Sequence, residues 1–458
     1  MGELQDFVNE KASELKVPGV SVGVLNGDVE EYAFYGVTSV ENPLDVNDET
    51  LFQFGSTGKT FTATMVMMLV EQGRFDLDTR VKDLVPELTL KDKTAEEQVT
   101  VLQLLNHTAG WSGDLIVSTG DGDDALEKYV ALMADIDQVT PLGEAVSYNN
   151  ASLSLAGRVI EKVTGKVFQD AAKEMLFEPL GLKHTFFYAG DIMTRRFAVG
   201  HELHPDGAIT VSRPWPMPRS AAPAGGISAN AADQIAWAKF HLGDGKAPDG
   251  TQLLSEKLLK MMQEPTVDMK GSALGDYVGI SWLLRDIGDD RLVGHGGTTN
   301  GQYSEFLTVP AKSFALTSMT NCGPNGSEFN KALAKWALER YCGIADVEPE
   351  PITLGDAAKA EYVGTYETIA AEVQVVVEEG QLVIRTKIKP EMLKQLREEG
   401  HDAPEDSPAI PICILPGDDD RYVVVGGPAK GMKGYFKRDE SGRVVGAHVG
   451  GRMASRVQ

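Results

Sequence analysis

Apolar residues Phe7, Val8, Ala12 and Leu15 recur at helical spacing among polar neighbours, which predicts an amphipathic helix over 5–16. From Gly19 to Leu25 and from Val29 to Val37 the chain is rich in Val, Tyr and Phe, and Asn26-Gly27-Asp28 between the two runs is hairpin turn chemistry. The run Thr60–Val70 is apolar nearly all round, the mark of a helix buried in a core. From about residue 80 to 270 helical patterns dominate, broken by Pro/Gly segments such as Pro214-Trp215-Pro216-Met217-Pro218 and Pro223-Ala224-Gly225-Gly226. Strand patterns return at Val278–Leu284, Arg291–Val293, Tyr303–Val309 and Phe314–Thr320, and Phe329–Tyr341 reads as a closing helix.

Strands from both ends of one segment imply an α+β unit: an antiparallel sheet flanked by helices, with a mainly helical insert at about 80–270. Val347-Glu348-Pro349-Glu350-Pro351 has linker composition. Beyond it come short strand patterns at Tyr362–Tyr366, Val373–Glu378, Leu382–Thr386, Ile410–Leu415, Tyr422–Gly426, Gly434–Lys437 and Val444–Val449, which predict a small all-β domain, an antiparallel barrel or sandwich. The expected division is therefore 1–346, a linker at 347–351, and 352–458.

Composition narrows the function. The 458 residues carry 43 basic and 67 acidic side chains, a formal net charge of −24, with no basic block that would track a phosphate backbone. Nucleic acid is not expected as a partner. The three cysteines, Cys322, Cys342 and Cys413, are too few for a disulfide framework and lack metal-ligand spacing, so they read as reduced structural thiols. No run reaches the roughly 18 apolar residues of a membrane helix, and residues 1–6 lack the basic and apolar stretches of a leader, so a cytoplasmic protein is expected.

Three motif lookalikes carry little. Gly19-Val20-Ser21-Val22-Gly23 spells a nucleophile elbow, but that motif needs a strand-to-helix turn and here the serine lies in a hairpin strand. Gly58-Lys59-Thr60 ends like a phosphate-binding loop, yet the position of the first required glycine holds Gln53. His201 and His204 lie three apart with no third ligand in view, so an exposed loop pair is expected and no metal is assigned.

Ser56-Thr57-Gly58-Lys59 opens the buried helix. A serine hydroxyl is a weak nucleophile that needs a base, and residues i and i+3 share a helix face, so Lys59 reaches Ser56. Taken alone, the pair reads better as a helix N-cap with a first-turn lysine than as a catalytic dyad. Two further motifs change the balance. Tyr148-Asn149-Asn150 precedes the amphipathic helix Ser152–Thr164 and offers a phenol for proton transfer and an amide for a substrate carbonyl. Val293-Gly294-His295-Gly296-Gly297-Thr298 offers a strand edge bared by glycines, where a main-chain N–H can meet an oxyanion.

In this order the three motifs resemble the serine β-lactamase and D,D-peptidase superfamily, in the branch with class C β-lactamases, D-aminopeptidases and esterases. The likeness rests on Phe54-Gly55-Ser56-Thr57-Gly58-Lys59, Leu104-Leu105-Asn106-His107-Thr108-Ala109-Gly110-Trp111, Tyr148-Asn149-Asn150 and Gly294-His295-Gly296-Gly297. It spans about residues 5–345. The tail after 351 is similar to the lipocalin-like barrels appended to some relatives, in which such a domain lends a loop to the active site. Gly426–Gly434 is the candidate for such a loop here, although a solvated hairpin loop with two lysines is the reading favoured.

The resemblance implies that Ser56 is acylated, that Lys59 and Tyr148 move its proton, and that Asn150 binds substrate. Backbone N–H groups of Ser56 and Thr298 would form the oxyanion hole, with His295, Gly296 and Gly297 lining it. His295 stands where class C β-lactamases carry a lysine that helps recognise the β-lactam carboxylate, so only weak β-lactamase activity is expected. His107, although tempting as a catalytic histidine, is assigned a loop-holding role, and Gly225-Gly226-Ile227-Ser228 a place in the pocket wall. The expected activity is a carboxylesterase on small or medium acyl esters. Alternatives are a D-aminopeptidase or amidase on small peptides or D-amino-acid amides, a transacylase, or a silent binding protein that keeps the fold. No cofactor is expected, the partner is a small ester or peptide substrate, and a homo-oligomer is left open.

Overall fold

Gly27, with φ of 61°, turns the first hairpin, pairing Gly19–Asn26 with Val29–Gly36 so that Asn26 lies opposite Val29. In the computed structural model, which describes every residue except Met1, Asp114, Glu348, Pro349, Ile369, 399–405, Asp418, Pro428 and Gln458, this hairpin forms one edge of a nine-stranded antiparallel sheet. The order continues through Phe314–Thr320, Gln302–Val309, Asp290–Gly294, Leu283–Ile287 and Gly275–Val278 to Val267–Ser272. The short strand Gly297–Thr299 branches off to pair with Gln302–Val309. All but the last residue of Gly19–Asn26 are buried, because helices cover both faces of the sheet. On one face Val20, Val22 and Val24 pack against Leu4, Val8 and Ala12 of the first helix, Glu3–Glu14, and against Phe329 and Leu333 of Asn325–Ala337. On the other, a methyl at Gly23 would stand 2.8 Å from Ile235 of helix Ala231–Leu242. Close helix packing thus accounts for the second glycine of the elbow-like run, and Ser21 is fully buried.

The helix Gly58–Glu71 lies at the centre of the largest core, buried continuously from Gly58 to Leu69. Phe61 stacks on Trp237 with ring centroids 3.8 Å apart. Burial of a side chain of this size stabilises by about 1.5–3 kcal/mol, and Phe61→Ala would cost ~3–5 kcal/mol once the cavity is included. Helix Asn150–Thr164 begins two residues before its apolar pattern. Asn149 caps it, its side chain accepting from Ser152 N–H at 2.8 Å, and Gly165, at φ of 71°, ends it.

The strand pattern at Val278–Leu284 resolves differently. Gly275–Val278 and Leu283–Ile287 are separate antiparallel strands, and Ser281, at φ of 58°, lies in the turn between them. The closing helix starts earlier than its apolar pattern, at Asn325, and its last turn, Leu338–Cys342, is π-helical. His201 is a correction as well. It is not on an exposed loop but buried in strand His201–Leu203, with Nδ1–H donating to Asn321 O (2.7 Å) and Nε2 accepting from Val40 N–H (3.1 Å). His204 bonds Thr210 at the surface.

The tail closes into an eight-stranded antiparallel barrel from Gly364–Glu367 to Arg452–Arg456, its interior filled by side chains including Tyr366, Ile384, Ile412, Tyr422 and Phe436. Seven strand patterns are visible in the sequence. The eighth strand, Arg452–Arg456, follows a two-residue turn in which Gly450 and Gly451 have φ of 56° and 84°, geometry that suits a tight hairpin. Two residues of the linker segment, Glu348 and Pro349, lie outside the described residues. The barrel lays Lys433–Arg438 against Val267–Ser272, and Ala145, Tyr435 and Met453 form a small apolar cluster across the junction.

Candidate active site

Ser56 lies in a single 3-10 turn, Gly55–Thr57, immediately before the buried helix. The N-cap position of that helix is Thr57 and not Ser56, contrary to the cap reading of the motif. The turn is pressed against the short strand of the third motif. A methyl at Gly297 would stand 1.9 Å from Phe54 O and 2.7 Å from Ser56 N, and one at Gly55 (φ 57°) would meet Thr298 N at 2.7 Å. Only glycine permits this approach, which brings the backbone around Ser56 N and Thr298 N together beside the hydroxyl. Thr57 Oγ1 donates to His295 O (2.8 Å) and Ser304 Oγ to Phe54 O (2.7 Å), fastening the two segments from behind.

Lys59 is fully buried. Its Nζ lies 3.0 Å from Ser56 Oγ and donates to Asn150 Oδ1 at 2.8 Å and to Ala224 O at 2.7 Å. The two last groups are obligate acceptors. In its neutral form an amine at this distance from the hydroxyl can take the serine proton. Asn150, expected to hold substrate, thus also orients the lysine. Ala224 belongs to the Pro-Gly segment before the expected pocket wall, where a methyl on Gly225 would lie 3.0 Å from Gly55 C.

Tyr148, 7% exposed, presents its ring 4.8 Å from Lys59 Nζ and its hydroxyl 3.4 Å from His295 Nε2. His295 Nδ1–H donates to Gly296 O at 2.6 Å, so Nε2 carries the lone pair and accepts from the phenol. Burial, reinforced by Lys59 in its protonated form, pushes the His295 imidazole down to about 3. The third motif therefore presents a neutral ring where a β-lactamase presents a cation. His107 Nδ1 accepts from Asn149 N–H (3.1 Å), and its ring packs 4.5 Å from that of Tyr148. Burial drives its pKa well below the ordinary value, and the charges of Lys59, His295 and Arg452 add to this. Its observed contacts hold the Tyr148–Asn149 turn.

The structure thus gathers Ser56, Lys59, Tyr148, Asn150, His295, Gly296, Gly297 and Thr298 at one place. It also brings Arg452, which no sequence motif marks, with its guanidinium 4.7 Å from the Tyr148 ring centroid. The hairpin that carries it is tied to the tyrosine: Tyr148 N–H donates to Gly451 O at 2.9 Å and Met453 N–H to Ser147 Oγ at 3.3 Å. The Gly450-Gly451 pair was the available signal, predicting a turn but not where the turn would dock. In the candidate loop Gly426–Gly434, Gly426 lies beside Pro411 and Met432 packs against the barrel core; Pro428 lies outside the described residues.

A serine beside a buried lysine, with a glycine-bared strand at its shoulder, fits the class of serine hydrolases of the penicillin-recognising type. The Beta-lactamase family matches residues 4–340, and the chain belongs to that family. It is 35% identical over 375 residues to penicillin-binding protein 4 of Amycolatopsis lactamdurans, a match covering 79% of this chain and 96% of that protein. The structure of SurE, also solved with D-Leu, aligns over 99% of this chain and 98% of its own at TM-score 0.75 and 26% identity. D-amino acid amidase from Ochrobactrum anthropi aligns over 74% of this chain and 96% of its own at TM-score 0.61 and 23% identity, a likeness of fold. Among the described residues no group of His, Cys, Asp and Glu could hold a metal ion, and no helix is long and apolar enough to cross a membrane.

Proposed function

We propose that the protein transfers acyl groups through a covalent acyl-Ser56 intermediate, with residues 1–346 as the catalytic unit. The observation that carries this is the Lys59 amine, buried, 3.0 Å from Ser56 Oγ and steadied by its bonds to Asn150 Oδ1 and Ala224 O. Ser56 Oγ attacks an ester or amide carbonyl carbon while its proton passes to Lys59 Nζ. The carbonyl electron pair moves to oxygen, where the N–H groups of Ser56 and Thr298 receive it. Collapse breaks the bond to the leaving group, which takes the Tyr148 proton, and Lys59 restores that proton to the phenolate. Water then attacks the acyl-enzyme by the reverse relay, releasing the acid and free Ser56. His295, neutral, keeps the Tyr148 hydroxyl in place, and Asn150 serves both Lys59 and the substrate.

The first substrate reading is a carboxylesterase on small or medium acyl esters, since a neutral His295 demands no anionic group beside the carbonyl. The second, an amidase or peptidase on D-configured residues, is favoured by the likeness to SurE, solved with D-Leu. Weak β-lactam hydrolysis follows from the missing cation at position 295. A panel of chromogenic esters, D- and L-aminoacyl anilides and a chromogenic cephalosporin, run with wild type and Ser56→Ala, tests the reading. Esters and D-aminoacyl anilides should be turned over faster than the cephalosporin, and turnover retained by Ser56→Ala would refute the acyl-serine mechanism.

A further inference from the structure

Glu305 stands directly behind the glycine-bared strand. Along Gln302–Val309 side chains alternate between the two faces of the sheet, and Ser304 takes the active-site face, donating to Phe54 O at 2.7 Å with Thr57 Oγ1 3.2 Å away. Glu305 therefore takes the opposite face. Gly294 pairs with Leu307 and Gly297 with Ser304, a single register that sets Gly296 opposite Glu305. A methyl on Gly296 would lie 3.5 Å from Glu305 Oε2, so the carboxyl occupies the place of the side chain that Gly296 lacks. One residue further on, Gly297 is pressed against the Ser56 segment, and the N–H that follows is that of Thr298.

Two neighbouring elements turn cations toward this carboxyl. Lys331 does so from helix Asn325–Ala337, and Arg285 from strand Leu283–Ile287, where it is itself bonded to Asp346 at 2.5 Å. Tyr303 shares the face two residues back, its phenol raised by burial, and Ser318, opposite Glu305 on Phe314–Thr320, is neutral and donates to Asn330 Oδ1. Among the described residues no hydrogen bond or ion pair reaches the Glu305 carboxyl. Burial raises it to about 7, and the two cations offset this only in part, so the group is neutral on one side of neutrality and anionic on the other.

We propose that Glu305 is a positioning residue of the acyl-transfer site whose ionisation, acting through the Gly296–Thr298 backbone, opposes the charge that develops on the substrate oxyanion. This rests on the acyl-Ser56 reading and adds a control to it. In the transition state the carbonyl oxygen gains negative charge at the N–H groups of Ser56 and Thr298. A neutral carboxyl behind the strand leaves that charge undisturbed. A carboxylate there is a second anion across a thin layer of protein, where water screens poorly. The ester in its ground state is neutral, so the repulsion is felt mainly in the transition state and slows acylation. Glu305 gives its proton to solvent and makes or breaks no bond to the substrate.

The test is the pH dependence of kcat/KM for a p-nitrophenyl ester, taken as the ratio of Glu305→Gln to wild type so that the contributions of Lys59 and Tyr148 cancel. The ratio should rise about fivefold between pH 5.5 and 8.5, with its midpoint at about 7. Glu305→Ala, which removes the packing over Gly296 as well as the charge, should show the same rise from a lower starting level. A ratio that stays flat in Glu305→Gln overturns the proposal. Thermal melts at both pH values identify a variant that has not folded. In that event, or if no ester acylates Ser56 and the acyl-serine reading itself fails, the wild-type amide resonances of Gly296, Gly297 and Thr298 decide whether the carboxyl acts on this strand. They should move with a midpoint at about pH 7, and resonances that stay fixed across the range overturn the proposal.

Discussion

Ser56, through Lys59, and Arg452 come to the same tyrosine by opposite routes. Ser56 is held by short-range chemistry: a helix spacing that sets Lys59 beneath it and a glycine seam that admits Thr298 beside it. Arg452 is held by long-range register, at the end of a barrel hairpin whose main chain bonds to the Tyr148 segment. On the proposed reading the first region would perform the chemistry, with groups whose positions a few residues of sequence dictate. The place of the second depends on how a whole domain docks. Substitutions in the two regions should therefore separate kcat from KM.

The largest expected effect is in the first region. Lys59→Met removes the base and its three polar contacts, and kcat should fall by about 10³-fold or more, measured with an ester in steady state. Gly297→Ala tests the seam. The added methyl would lie 1.9 Å from Phe54 O, so the Ser56 and Thr298 N–H groups are forced apart, and kcat should fall by roughly 10²–10³-fold, with a loss of about 1–3 kcal/mol in chemical denaturation. At the junction, Gly451→Val meets Leu274 and requires a β-branched residue at φ of 84°. It should raise KM by about tenfold, roughly 1.4 kcal/mol, with a smaller change in kcat; an equal loss in both would abolish the distinction between the regions.

Two titrations give smaller effects. His295, pushed down to about 3, should show flat imidazole NMR shifts from about pH 5 to 8, where an unperturbed histidine titrates. Glu305, on the sheet face behind Gly296, is raised by burial to about 7, with Lys331 and Arg285 pulling it back only in part. Above the unfolded value of 4.5 the folded protein retains a proton that the unfolded chain has released, so stability falls as pH rises through the window from 4.5 to about 7. Glu305→Gln should remove that slope and stabilise the protein at pH 8 by ~1–2 kcal/mol relative to its effect at pH 4, read from urea melts at the two pH values.

Much of the fold was readable because its signals are local. The hairpin at Asn26-Gly27-Asp28, the all-apolar helix after Ser56 and the alternation in seven barrel strands each follow from residues close in sequence. So do the three motifs, whose spacing and glycines are themselves the chemistry. What escaped depends on distant partners. His201 looked like a surface residue because nothing nearby reveals that Asn321 O and Val40 N–H enclose it. The strand Arg452–Arg456 has weak alternation, with Arg at both ends, and its pairing with Val444–Val449 is set by the Gly450-Gly451 turn. Ala224 contributes only a carbonyl, which no side-chain pattern reports.

Covalent capture tests the shared premise most directly. Rapid quench of the protein with a slowly deacylating phenylacetyl ester, followed by intact-mass and peptide mass spectrometry, should show one acyl group on the peptide containing Ser56. It should be absent from Ser56→Ala and reduced to the rate of slow uncatalysed acylation in Lys59→Met. Turnover of the ester with no acyl-protein, or an acyl group on a residue other than Ser56, would contradict the mechanism.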